Sequence, residues 1–299
     1  MSGPRPPSDA RSLMPPRDLA LVLLVIVAWG SNFTAMKMVL EELPPLLFVG
    51  LRFAILIPLI FFFPRPASWK AIIAVGLLVN MGQFGFLFSA MRADVTAGLA
   101  SLILQSQAPL TILLAAVFFK ERVSPPQIAG VALACLGVAG FGVAGGGNIT
   151  LVGLGLVLCG ALCWASGNLV FRRLPGVNMA ALFIWSSLIP PIPMLALSLA
   201  LEGPAPFATI AAMSLSGWAG VVYVAVISTI IGYSIWGALL SRHPAAQVTP
   251  FALGIPVVGL LTAWIVLGET VGAWEAVSGL VILTGITLAV LGPRFFRAG

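Results

Sequence analysis

Twenty-five uncharged residues in a row, Val95 to Phe119, lie between Asp94 and the cluster Lys120-Glu121-Arg122. As a helix rising ~1.5 Å per residue, that run crosses a hydrocarbon core of ~30 Å. Pro109 interrupts the crossing, because proline lacks a backbone donor and clashes with the preceding turn. A further apolar helix is expected from about Pro125. Several such runs occur, and only 8% of the 299 residues are charged while 60% are apolar. A soluble domain carries about 25% charged residues, so lipid is the solvent for most of this chain. The formal net charge of +6 is then a matter of membrane orientation and not of nucleic-acid binding, since the basic residues fall in short loops.

The pattern from Asp94 to Gly130 returns from His243 to Gly279. Ala97, Pro109, Glu121 and Gly130 match Ala245, Pro256, Glu269 and Gly279 at offsets of 148, 147, 148 and 149. Four landmarks in one order at one spacing indicate an internal repeat. Ten spans account for the rest. Span 1 runs from after Asp18 to about Lys37, and span 2 from Pro44-Pro45 to near Phe63. Span 3 lies between Lys70 and Arg92, and span 4 is the run already described. Gly145-Gly146-Gly147-Asn148 divides the 49 uncharged residues between Arg122 and Arg172 into spans 5 and 6. Span 7 covers about Asn178 to Leu201. A Pro- and Ser-rich loop precedes span 8, which starts near Gly217. Spans 9 and 10 cover Pro244 to Leu267 and about Gly272 to Leu291.

Loop charges support this count. With the N-terminus inside, twelve basic residues face the cytoplasm, and only Lys37 and Arg92 face the other side. That is a strong positive-inside bias and places both termini in the cytoplasm. Residues 1–18 are expected to form a cytoplasmic tail rather than a cleaved signal peptide. Residues 19–144 and 150–292 form two five-helix repeats. Five is odd, so the second enters the membrane from the opposite side, as in many secondary transporters. The fold class expected is therefore an all-α integral membrane protein with ten transmembrane helices in two inverted repeats.

Ala28-Trp29-Gly30-Ser31-Asn32 in span 1 and the two repeated runs resemble the drug/metabolite transporter superfamily, in particular its EamA family. The resemblance covers about residues 19–292. Overall similarity and a Trp-, Gln- and Asn-bearing interior are most like YddG-type aromatic amino-acid exporters. The resemblance implies export of small metabolites by alternating access in the cell (inner) membrane, as a monomer or homodimer. Gln247-Val248-Thr249-Pro250 departs from the small-residue run of the first repeat, so span 9 is expected to pack or kink differently from span 4.

Polar side chains inside spans are costly in lipid and face a cavity or a partner. The candidate substrate-binding set is Trp29, Asn32, Asn80, Gln83, Gln105, Trp164, Asn168, Ser228, Tyr233 and Trp236. Asn80 and Gln83 are three apart, which puts them on one face of a helix. Amides and hydroxyls can bind the ammonium and carboxylate of an amino acid, and the aromatic rings can stack on its side chain. Each amide can instead bond a neighbouring helix. Arg52 is the charged residue well inside a span. It reads as a carboxylate clamp or gate, or as a side chain reaching outward to Glu41 or Glu42. Pro109 and Pro256 are further gating candidates. Glu121 and Glu269 read as symmetric span-end markers, and His243 as a surface-loop histidine. Cys135, Cys159 and Cys163 read as small buried hydrophobes. No cofactor or metal is expected, and a membrane enzyme would want paired carboxylates or a histidine set that this chain lacks. The expected activity is export of neutral, aromatic or large apolar amino acids down their gradient. A proton-coupled drug or metabolite pump is the alternative.

Overall fold

The computed structural model describes residues 14–143, 149–243 and 245–295, and all regular structure among them is helical. The crossings in chain order are α1 Pro16–Glu42, α2 Pro45–Phe62, α3 Trp69–Ala93, α4 Ala97–Phe119, α5 Pro125–Val143 and α6 Leu151–Phe171. Then come α7, formed by Met179–Ser186 and Pro191–Leu201 with a 45° bend, α8 Leu215–Arg242, α9 Thr249–Leu267 and α10 Ala273–Phe295. The glycine run read as the repeat boundary, and most of the N-terminal tail, lie outside the described residues.

The halves interlock by inverted symmetry. Helix α1 packs on α8 and α9, and its counterpart α6 packs on α3 and α4. The pairs α2 with α7 and α5 with α10 join the halves on either side. The α5–α10 contact explains the Gly130 landmark. A Cβ on Gly130 would meet the backbone of Ala289, and one on Gly285 would meet that of Ala134. The outer surface is apolar: Phe61, Ile192 and Leu215 are 85%, 80% and 88% exposed, as lipid-facing side chains should be.

Repeat symmetry extends to details of the backbone. Helix α4 ends at Lys120 and α9 at Gly268, both left-handed with φ of 55° and 66°. A 3-10 turn interrupts α4 at Leu104–Ser106, and another, Thr249–Leu253, separates the short helix Ala245–Val248 from the Gly254–Leu267 part of α9. Each turn lies just before a proline, because Pro109 and Pro256 cannot donate to the carbonyls of Gln105 and Ala252. The break expected at Pro109 therefore falls one turn earlier. The longer turn in α9 includes Pro250, which has no counterpart proline in α4. Gly76–Gln83 in α3 and Tyr223–Ile231 in α8 are matching π-helical segments.

Four expectations are corrected. Helix α1 runs to Glu42 and not to Lys37, because Lys37 stays in the helix and donates to the Met91 carbonyl at 2.5 Å. Span 7 is broken by Pro190-Pro191. The loop expected before α8 contains a short helix, Ala205–Ala212. Cys135 and Cys159 are exposed on the lipid-facing surface, and Cys163 is half-buried.

Candidate functional site: a one-sided cavity between the halves

Helix α1 carries Trp29 and Asn32 to the seam between the halves. Trp29 Nε1 donates to the Ser228 carbonyl at 2.8 Å, tying α1 to the π segment of α8. The Trp29 ring lies 5.0 Å from that of Tyr233 and 5.3 Å from that of Trp236. Tyr233 in turn stacks on Phe183 at 3.9 Å. On the other wall, Gln105 Nε2 donates to the Ala252 carbonyl at 3.3 Å. That carbonyl lost its helical donor to Pro256, so the paired proline breaks are joined across the seam.

These residues enclose a deep chamber of about 50 Å³. Trp29, Asn32, Arg52, Gln83, Gln105, Trp164, Ser228, Thr229 and Tyr233 all line it. Trp29, Gln105, Trp164 and Tyr233 also line a wider vestibule of about 530 Å³, which Trp236, Gln107, Asn168 and Arg172 help to form. Chamber and vestibule thus adjoin along a shared wall, with the vestibule on the side toward Arg172. There Arg172 pairs with Glu121. That guanidinium hydrogen bond holds the Glu121 carboxyl below its usual range, and the Arg172 guanidinium is raised in turn.

The opposite end is shut. Thr34 Oγ1 donates to Thr262 Oγ1 at 2.9 Å, joining α1 to α9. Glu269 accepts from Ala97 N and Gly98 N at 2.8 and 3.0 Å, capping α4. Arg92 Nη1 donates to the Leu40 carbonyl at 2.6 Å.

Arg52 lies inside the chamber wall and does not reach outward to Glu41 or Glu42. It is 2% exposed. Its Nη2 donates to Thr229 Oγ1 at 2.9 Å, and its guanidinium sits 3.8 Å from the Phe84 ring centroid. Taking a guanidinium out of water costs several kcal/mol. One hydrogen bond from a charged donor returns ~1.5–3 kcal/mol and a desolvated cation–π contact about 2 kcal/mol. Those two contacts offset much of the cost, but Nε and Nη1 find no partner among the described residues.

One candidate residue lies elsewhere, and another is engaged between helices. Asn80 lines neither space; its Nδ2 donates to Ser186 Oγ at 2.8 Å, holding α3 to α7. Asn168 faces the vestibule, yet its Nδ2 bonds Gln107 Oε1 at 2.8 Å and Thr111 Oγ1 at 3.1 Å, which joins α6 to α4. His243 is not a free loop histidine: its Nε2 meets Asp18 Oδ2 at 2.7 Å beside Arg242. Thr229 was missed, although a buried arginine demands a partner and Thr229 adjoins Ser228 in an otherwise apolar run.

Inverted helical halves long and apolar enough to cross a membrane, with a cavity between them that bears a few polar side chains and is closed at one end, form an architecture shared by many secondary transporters. The chain belongs to the EamA-like transporter family, which matches residues 18–143 and 151–291. It is a multi-pass membrane transporter and not an enzyme. It is 40% identical over 290 residues to a protein of Salmonella typhimurium named as a probable amino-acid metabolite efflux pump, covering 94% of this chain and 97% of the relative. A protein of Escherichia coli K12 with the same name is 38% identical over 291 residues, again covering 94% and 97%. One solved crystal structure, 19% identical, covers 94% of this chain and 99% of its own with a TM-score of 0.62, a likeness of fold alone.

Proposed function

We propose that this transporter exports neutral amino-acid-like metabolites, aromatic or large apolar ones above all, across the cell (inner) membrane by alternating access. Residues 19–144 and 150–292 are the two moving halves, and both termini face the cytoplasm. The observation that carries the reading is the chamber and adjoining vestibule between the halves, open at one face and shut at the other. Basic residues concentrate at the open face, so it is cytoplasmic by the positive-inside rule, and cargo enters from inside the cell. Two relatives named as amino-acid metabolite efflux pumps support the cargo class. Trp29, Trp164, Tyr233 and Trp236 supply stacking surface for an apolar side chain. The test is efflux from liposomes containing the purified full-length chain and loaded with a panel of amino acids, nucleosides and cationic dyes. Selective loss of neutral amino acids is expected. Efflux of dyes or nucleosides with amino acids retained would overturn the reading.

A further inference from the structure

Two sets of buried polar atoms at the deep chamber find no partner among the described residues. One set donates: Nε and Nη1 of Arg52. The other accepts: Oδ1 of Asn32 and Oε1 of Gln83. These side chains are buried, with exposures of 2% for Arg52, 6% for Asn32 and 3% for Gln83. Among the described residues, no carboxylate lines the chamber. A guanidinium edge matches the two oxygens of a carboxylate, and amide oxygens accept from an ammonium group. The orphan atoms are therefore complementary to a zwitterion.

Volume separates the head of such a cargo from its side chain. By the measure in which one water needs ~10–15 Å³, the chamber of about 50 Å³ holds roughly three to five waters. That suits an ammonium and a carboxylate on one carbon, and it is too small for an indole ring as well. The vestibule has about ten times the room, at about 530 Å³, and Trp164 and Trp236 line it.

We propose that the chamber reads the head group of the cargo, while the vestibule takes apolar side chains of many shapes. Arg52 takes the carboxylate, Asn32 and Gln83 take the ammonium, and the side chain lies in the vestibule. This assignment rests on the amino-acid exporter reading and narrows it. The transporter then requires a free α-carboxylate and accepts many side chains. It rejects the matching amine, which would bring a second cation to Arg52 with no anion to balance it.

Counterflow into liposomes holding the full-length chain tests this. The probes are a panel of tracer neutral amino acids, with tryptamine, tryptophan methyl ester and indole-3-propionate as competitors of tryptophan. Tryptophan, phenylalanine and leucine should compete within a few-fold of one another. Tryptamine and the ester should compete at least about tenfold more weakly, because they leave buried donors unpaired. Indole-3-propionate, which keeps the carboxylate, should fall between. Arg52→Gln should erase the preference for tryptophan over tryptamine, and Arg52→Lys should keep part of it. Tryptamine and the ester competing as well as tryptophan in the unaltered protein would overturn the assignment while leaving the exporter reading intact. So would an Arg52→Gln variant that slows every probe alike. No counterflow of any tracer amino acid would overturn the exporter reading, and this assignment with it.

Discussion

Lys120 ends α4 with φ of 55°, a conformation that costs a side-chain-bearing residue about 1 kcal/mol relative to glycine. Its counterpart in the second half is Gly268. Lys120→Gly should therefore raise the thermal midpoint of the detergent-solubilised protein by up to ~1 kcal/mol of stability, and a lowered midpoint would show that the lysine side chain holds more than the strain costs. Gln83 and Asn80 make a sharper pair. Gln83→Ala should cut transport about tenfold or more, the worth of one hydrogen bond to a charged group, with folded yield near normal. Asn80→Ala should leave transport within about twofold, since it removes one helix-to-helix bond whose loss is worth ~1 kcal/mol. Equal transport losses in the two variants would contradict the geometry. The sequence treats both residues alike, because three positions on an α-helix differ by about 60°. In the π segment of Gly76–Gln83, with roughly 4.4 residues per turn, the same spacing opens to about 115°. Gln83 then faces the chamber and Asn80 faces Ser186.

Among elements, the closed face depends on the Glu269 carboxylate at the start of α4. It satisfies two amide donors that have no helical partner, and a carboxylate there also favours the positive end of the helix dipole. Glu269→Ala should weaken that closure by about 1–2 kcal/mol and shift the protein toward opening outward. Ser101, one turn further in, is 1% exposed. In a background lacking the native cysteines, Ser101→Cys should react with an impermeant thiol reagent from outside several-fold faster once Glu269 is Ala. An unchanged rate would mean that the Thr34–Thr262 bond and helix packing keep the face shut alone. The spans themselves were legible in the sequence because charges and prolines punctuate apolar runs, and the offset of Glu121 from Glu269 carried the symmetry. Hydropathy says nothing about hydrogen-bond register, so neither π segment could be read from it. The helix Ala205–Ala212 was hidden by its prolines, although Pro204 and Pro206 sit where a helix start tolerates them. Arg52 was legible as unusual but not as inward-facing, since its partner Thr229 lies 177 positions away.

For the whole molecule, the placement of acids bears on how movement is driven. A proton-driven pump needs a group that gains and loses a proton while facing each side in turn. Among the described residues, every Asp and Glu lies within about a turn of a span end. Glu121 stands at the mouth of the vestibule, where the hydrogen bond from Arg172 lowers its pKa from 4.5. The sign follows: a depressed carboxyl keeps its ion pair at all pH values above the ordinary carboxylate range and loses it only as pH falls below that range. Glu121 therefore stays ionised from pH 8 to pH 5 and carries no proton there. Arg52 sits at the right depth, but a guanidinium keeps its proton. His243 and Asp18 are hydrogen-bonded to each other, yet both lie at one membrane face, at the ends of α8 and α1, and face one side only. Flux should then run down the substrate gradient with no pH gradient imposed, at similar rates at pH 6 and pH 8, and a protonophore should leave it unchanged. Liposomes containing the full-length chain and loaded with a neutral amino acid supply the measurement. Uphill accumulation driven by an imposed pH gradient would overturn gradient-driven export, and the Asp18–His243 pair, Glu121 and Glu269 would be the first positions to substitute.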